Sequence, residues 1–212
     1  MADKKIVKKV QEALDKAPDR NFRESIEIAI NLKDVDLTKP ENRVDQEILL
    51  PHGRGKEIKI GVFGSGDLAL KAKKNADTVV EPEELDELAD DKKKARTLAE
   101  EHDFFLAEPP LMPVIGKNLG AILGPKGKMP SPVTPNMNIN ETIDSLRNTI
   151  AVRSKANRTF HTPLGTVEMD VEQIADNIDT VIKRVIDDLE RGKMNIDSVY
   201  VKTTMGPAVR LM

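Results

Sequence analysis

The chain has 212 residues, 39% hydrophobic and 33% charged, and its 33 basic and 36 acidic side chains give a net charge of −3. That composition belongs to a packed globular protein of one large domain or two small ones. The absence of cysteine excludes disulfides, thiolate metal sites and iron–sulfur clusters, and no run of about 18 apolar residues is present to span a membrane.

Ile6, Val7, Val10 and Leu14 recur at helical spacing and predict an amphipathic helix over 3–16, with Pro18 beyond its end. The opening MADKKIVKKV lacks the apolar core of a secretory signal, so a cytoplasmic location is expected. Residues 22–33 alternate. Phe22, Ile26, Ile28, Ile30 and Leu32 share one face, and Arg23, Ser25, Glu27, Ala29, Asn31 and Lys33 share the other. Such a strand belongs to a sheet with one covered face and one open face. A second strand over 44–50 ends at Pro51 and Gly53.

The pattern then changes. Ile58, Ile60 and Val62 predict a short strand ending in Gly64-Ser65-Gly66, followed by a helix over 67–75, a strand at 78–80, an acidic helical stretch to about residue 101 and a strand at 104–106. This alternation predicts a small α/β domain with a parallel sheet. Residues 109–140 hold 7 of the 13 prolines, four glycines, three lysines and no acid. Within them, Gly124-Pro125-Lys126-Gly127-Lys128-Met129-Pro130 reads as a Pro-pinned surface loop or as a contact for a polyanion. A helix is expected over 141–148, then strands separated by turns, the last over 164–169. An amphipathic helix from Asp170 to Arg191 and a strand over 197–204 follow. The one-sided elements at the two ends need each other to complete a sheet. They imply an α+β domain of residues 1–56 and 154–212 with an α/β domain of residues 57–153 inserted, and two chain crossings that would form a hinge.

No nucleophilic triad, acid–base pair or metal box can be assembled, and His52, His102 and His161 lie far apart in sequence. The chain is therefore not expected to be an enzyme or to carry a metal or cofactor. Three features remain. Gly64-Ser65-Gly66-Asp67-Leu68-Ala69 matches the dinucleotide fingerprint and offers an alternative reading as a nucleotide-binding enzyme, although Asp67 would repel phosphate. Lys126 and Lys128 offer a phosphate contact. The polar face of 22–33, with Thr203-Thr204-Met205-Gly206-Pro207, presents hydroxyls suited to RNA 2′-hydroxyls and phosphates, with the acid-free turn carrying Arg153, Lys155 and Arg158 expected beside it. The same open face would also suit a peptide.

The segments NFRESIEIAINLK, VDQEILLPHGRGK, LGPKGKMPSPV, FHTPLG (read as a hairpin) and SVYVKTTMGPAVR together resemble the ribosomal protein L-one family of the large subunit, in its archaeal form. The resemblance runs the length of the chain. It implies a discontinuous α+β sandwich built from both chain ends with an inserted Rossmann-like three-layer α/β domain. It also implies binding to the ribosomal RNA of the mobile stalk, help in releasing tRNA from the exit site, repression through its own messenger RNA, and a monomer away from the ribosome. Carried over by position, the RNA contacts are Phe22, Ser25, Glu27, Thr204, Met205 and Gly206, with Lys155 and Arg158 as further contacts. Bacterial members commonly carry a lysine before the phenylalanine; this chain has Asn21, so that contact is not carried over.

Overall fold

The computed structural model describes residues 3–134 and 137–212. By contact the chain forms two units, Met1–Lys56 with Asn148–Met212, and Glu57–Arg147.

Helix α1 (Lys4–Asp15) starts at Asp3, whose carboxylate accepts the Lys5 N–H, and it buries Val10 and Ala13. Strand β1 (Ser25–Leu32) buries Ile26, Ile28, Ile30 and Leu32 on one face, as the alternation requires. Strand β2 (Asp45–Leu49) precedes the crossing into the second unit. That unit runs β3 (Ile60–Phe63), α2 (Gly66–Ala72), β4 (Thr78–Val80), α3 (Pro82–Asp90), α4 (Lys92–Glu101), β5 (Phe104–Ala107), α5 (Met112–Asn118), α6 (Gly120–Lys126), β6 (Ser131–Pro132) and α7 (Ile139–Arg147). The chain returns through β7 (Thr149–Arg153), β8 (Thr159–Thr166), α8 (Val171–Asp188), β9 (Ile196–Thr203) and β10 (Val209–Arg210).

In the second unit the strands lie in the order β4-β3-β5-β6, and every neighbouring pair is parallel. All four residues of β3 are buried, as a strand covered on both faces demands. On one face Phe63 and Phe105 pack with Leu85 of α3, Ala95 and Ala99 of α4, Ile115 of α5 and Leu123 of α6. On the other, Ile60, Val62 and Leu106 pack with Ala72 of α2 and Ile143 of α7. This is a three-layer α/β arrangement.

The first unit holds an antiparallel sheet in the order β10-β9-β1-β8. Helices α1 and α8 pack against each other and against its apolar face. Ile174, Ile178, Val181 and Val185 of α8 are fully buried there, each worth about 1.5–3 kcal/mol of burial. The other face carries Ser25, Glu27, Ala29 and Asn31 from β1. Opposite them on β9 stand Lys202, Tyr200 and Ser198, and on β8 Pro163, His161 and Thr159. The α+β and α/β classes read from the sequence are both present.

Three local expectations change. The insertion ends at Arg147 rather than at residue 153, because β7 pairs antiparallel with β2 and sends Ile150 and Val152 into the first unit's core. The segment FHTPLG is no hairpin, and no separate strand runs over 164–169: β8 is one strand paired along β1, with a register shift between Ile26 and Glu27. Pro163 stands on an edge strand and at that register shift, the two places in a sheet that accept a proline. Finally, Gly124, Pro125 and Lys126 are not loop. They close α6, which Gly127 ends in the left-handed conformation at φ 69°.

Candidate nucleic-acid interface

The start of β1 and the turn after β9 form one surface. The Thr204 N–H donates to the Ser25 carbonyl at 3.0 Å, and the Thr204 hydroxyl lies 2.9 Å from Glu27 Oε1 and 3.2 Å from that same carbonyl. Lys202 Nζ donates to the Thr204 carbonyl at 3.0 Å. The Met205 N–H donates to Glu24 Oε1 at 2.8 Å, and the Gly206 N–H to the Thr203 carbonyl at 3.2 Å. Residues distant in sequence are thereby held as one platform. Phe22 and Met205, 56% and 59% exposed, project from it.

One of the sequence readings is corrected here. Phe22 shares the parity of the buried isoleucines, but β1 pairs only from Ser25 onward, so its ring is left in solvent. A Cβ at Gly206 would meet Thr203 Oγ1 at 2.3 Å, so the turn itself requires a glycine there.

Sequence reasoning missed Glu24. It is 4% exposed, and its parity places it on the apolar face with Ile26 and Ile28. An acid at a buried-parity position was the available signal. Its neighbour Arg23 also escaped: the guanidinium bonds the Gly55 carbonyl at 2.7 Å and Thr166 Oγ1 at 3.1 Å, and pairs with Glu168 at 2.9 Å.

Lys155 and Arg158 do not join this platform. The Arg158 carbonyl accepts the Leu32 N–H at 2.8 Å, so their turn stands at the opposite end of β1, on the order of 20 Å away at about 3.3 Å per residue. Lys155 is held there at φ 51°. Arg158 lines an open groove with Lys33, Arg43, Asp34 and Asp36. The two groups of residues therefore stand at opposite ends of the sheet rather than in one site.

Lys126 and Lys128 of the second unit are engaged internally. Lys126 pairs with Glu100 at 3.0 Å. Lys128 Nζ donates to the carbonyls of Ala99 and His102, at 2.9 and 2.6 Å, at the carboxyl end of α4. A cation there satisfies orphan carbonyls and the helix dipole. The lack of acid around these lysines in sequence therefore reflects partners brought in from α4, and the polyanion reading loses its ground.

The Gly64–Ala69 turn does follow β3 and open α2. However, Ser65 N–H and Oγ both reach Glu108 Oε2, at 3.1 and 2.8 Å, so a carboxylate sits where a phosphate would be cradled. Asp67 adds a second negative charge in the first turn. A Cβ at Gly64 would meet Leu68 Cδ2 at 2.4 Å, which explains that glycine by packing alone. The nucleotide reading is set aside on these grounds. Among the described residues no helix is long and apolar enough to cross a membrane.

The sequence profile of the Ribosomal protein L1p/L10e family matches residues 7–207. The chain belongs to this family. It is a structural ribosomal protein rather than an enzyme. A protein of Haloquadratum walsbyi named large ribosomal subunit protein uL1 is 52% identical over 211 residues, covering 100% of this chain and 99% of its own. The proteins of the same name from Methanothrix thermoacetophila and Methanosarcina barkeri are 52% and 51% identical, covering 96% and 100% of this chain and the same shares of their own. All the segments that carried the resemblance except the last residues after Pro207 lie inside the matched range.

Proposed function

We propose that this ribosomal protein is a constituent of the large subunit that binds the ribosomal RNA of the mobile stalk. The contact surface is Phe22, Ser25, Glu27, Thr204, Met205 and Gly206, in the unit built from both ends of the chain. Lys155 and Arg158 make a second contact at the far end of the sheet. The observation that carries this reading is the direct bonding of Thr204 to Ser25 and Glu27, which turns two distant segments into one preformed platform. Its hydroxyls, carbonyls and exposed side chains suit RNA minor-groove 2′-hydroxyls and unstacked bases. The net charge of −3 suits recognition by shape rather than by a large basic field. The resemblance to this family further implies assistance in releasing deacylated tRNA from the exit site, and repression by binding a similar fold in its own messenger RNA. Away from the ribosome the protein is a monomer.

The test is binding to a stalk-like ribosomal RNA fragment, with a scrambled RNA as control, across a salt series. Selective binding that persists as salt rises, and is weakened on changing Thr204, supports the reading. Equal and salt-fragile binding to both RNAs would reject it.

A further inference from the structure

Glu24 needs an explanation. A buried carboxylate costs free energy unless it is bonded, and the alternating positions 26, 28 and 30 carry isoleucine instead. Arg23, its sequence neighbour, turns its guanidinium to Gly55, Thr166 and Glu168. The Glu24 carboxylate instead takes the Met205 N–H at 2.8 Å, a charge-assisted bond of the stronger kind. Its backbone carbonyl accepts the Val167 N–H at 3.2 Å, just past the end of β8. One residue thus ties the strand on one side of β1 to the turn leaving the strand on the other side.

We propose that Glu24 is a positioning residue for RNA binding: it touches no RNA, but fixes the backbone of the Thr204–Gly206 turn so that Met205 is presented before RNA arrives. Met205 is 59% exposed although its own N–H is anchored on a buried group. A tip held in this way does not lose its freedom on binding, which is the usual advantage of preorganisation. The inference rests on reading that turn as an RNA contact. It separates Glu24 from Glu27, whose carboxylate lies on the open face and holds a hydroxyl rather than the turn's backbone.

The experiment compares the full-length protein with Glu24→Ala and Glu24→Gln. The first measurement is amide hydrogen exchange of the free proteins. Glu24→Ala should speed exchange at Met205 by roughly tenfold or more, the worth of a bond to a charged group, while Ile28 and Val201 in mid-sheet keep their protection. Glu24→Gln retains a carbonyl acceptor and should restore most of the Met205 protection. The second measurement is affinity for the stalk-like RNA fragment across salt. Glu24→Ala should weaken binding by a similar factor with an unchanged salt slope, because no phosphate contact is lost, and Glu24→Gln should recover most of it. Unchanged exchange at Met205 in Glu24→Ala would overturn the clamp. So would faster exchange without weaker binding, an altered salt slope, or an equal loss in both variants. If the unsubstituted protein does not prefer the stalk fragment over scrambled RNA, the RNA reading of the turn fails and the positioning role falls with it, even where exchange shows that the clamp itself exists.

Discussion

Glu27 Oε1 and the Thr204 hydroxyl meet at 2.9 Å across 177 residues of sequence. The pair lies on the open sheet face, so the bond is worth about 1 kcal/mol to folding and more to the shape of the platform. Thr204→Ala should lower the affinity for the stalk fragment by roughly fivefold to tenfold while leaving the melting temperature within a few degrees. A double-substitution cycle with Glu27→Ala should show coupling in RNA affinity. Strict additivity would mean that the two residues act separately.

Phe22 and Met205 are exposed large apolar side chains that no core requires. Phe22→Ala should leave stability nearly unchanged and weaken RNA binding by about 1–3 kcal/mol if a base or ribose stacks on the ring. A thermal melt together with a binding titration checks both halves of this statement.

Recognition through hydroxyls and shape implies few displaced counterions. The plot of log K against log salt should have a slope set by on the order of three to five phosphate contacts rather than ten. Replacing both Lys155 and Arg158 by alanine should reduce that slope by about two, whereas Phe22→Ala should not change it. A slope near ten would contradict the reading.

Lys128 closes the end of α4 through the Ala99 and His102 carbonyls. Lys128→Met should destabilise the 57–147 unit by about 1–3 kcal/mol through the orphaned carbonyls and leave RNA affinity unchanged. Urea unfolding followed at residues of that unit, alongside the binding assay, tests this. Lost RNA affinity with unchanged stability would restore Lys128 as a contact.

Glu12 receives ammonium groups from Lys16 and Lys9, at 2.6 and 2.7 Å, and these bonds pull its pKa from 4.5 down to about 2. The folded value is depressed, so the linked contribution is fully present above pH 4.5 and is lost as pH falls toward 2. The pair is solvent-exposed, so the effect on stability is small. Carboxyl carbon titration by NMR should place the Glu12 midpoint near 2, and Lys16→Met should move it up toward 4.5.

Pattern recovered both architectures here: alternation in β1 for a sheet covered on one face, and short apolar strands alternating with helices from β3 onward for a parallel sheet. It failed where a residue's partners come from elsewhere in the chain. Lys128 looked free because the carbonyls it bonds belong to α4, and a carbonyl leaves no mark in sequence. Glu24 was passed over because its partner is likewise a backbone group, the Met205 N–H. Lys155 and Arg158 seemed to stand beside Thr204 because the direction in which β8 runs along β1 is not encoded locally. The end of the insertion was misplaced because β7 belongs to whichever strand it pairs with, and that strand is β2.

In the order β10-β9-β1-β8, a strand made early lies between two made late. During synthesis β1 emerges with both edges bare and waits for partners, while residues 57–147 form a contiguous stretch able to close on its own. The platform on β1 is then assembled late, since Thr204 has to be made before it can meet Ser25, and a chain that has reached only the inserted unit carries Ser25 and Glu27 without the residue that joins them.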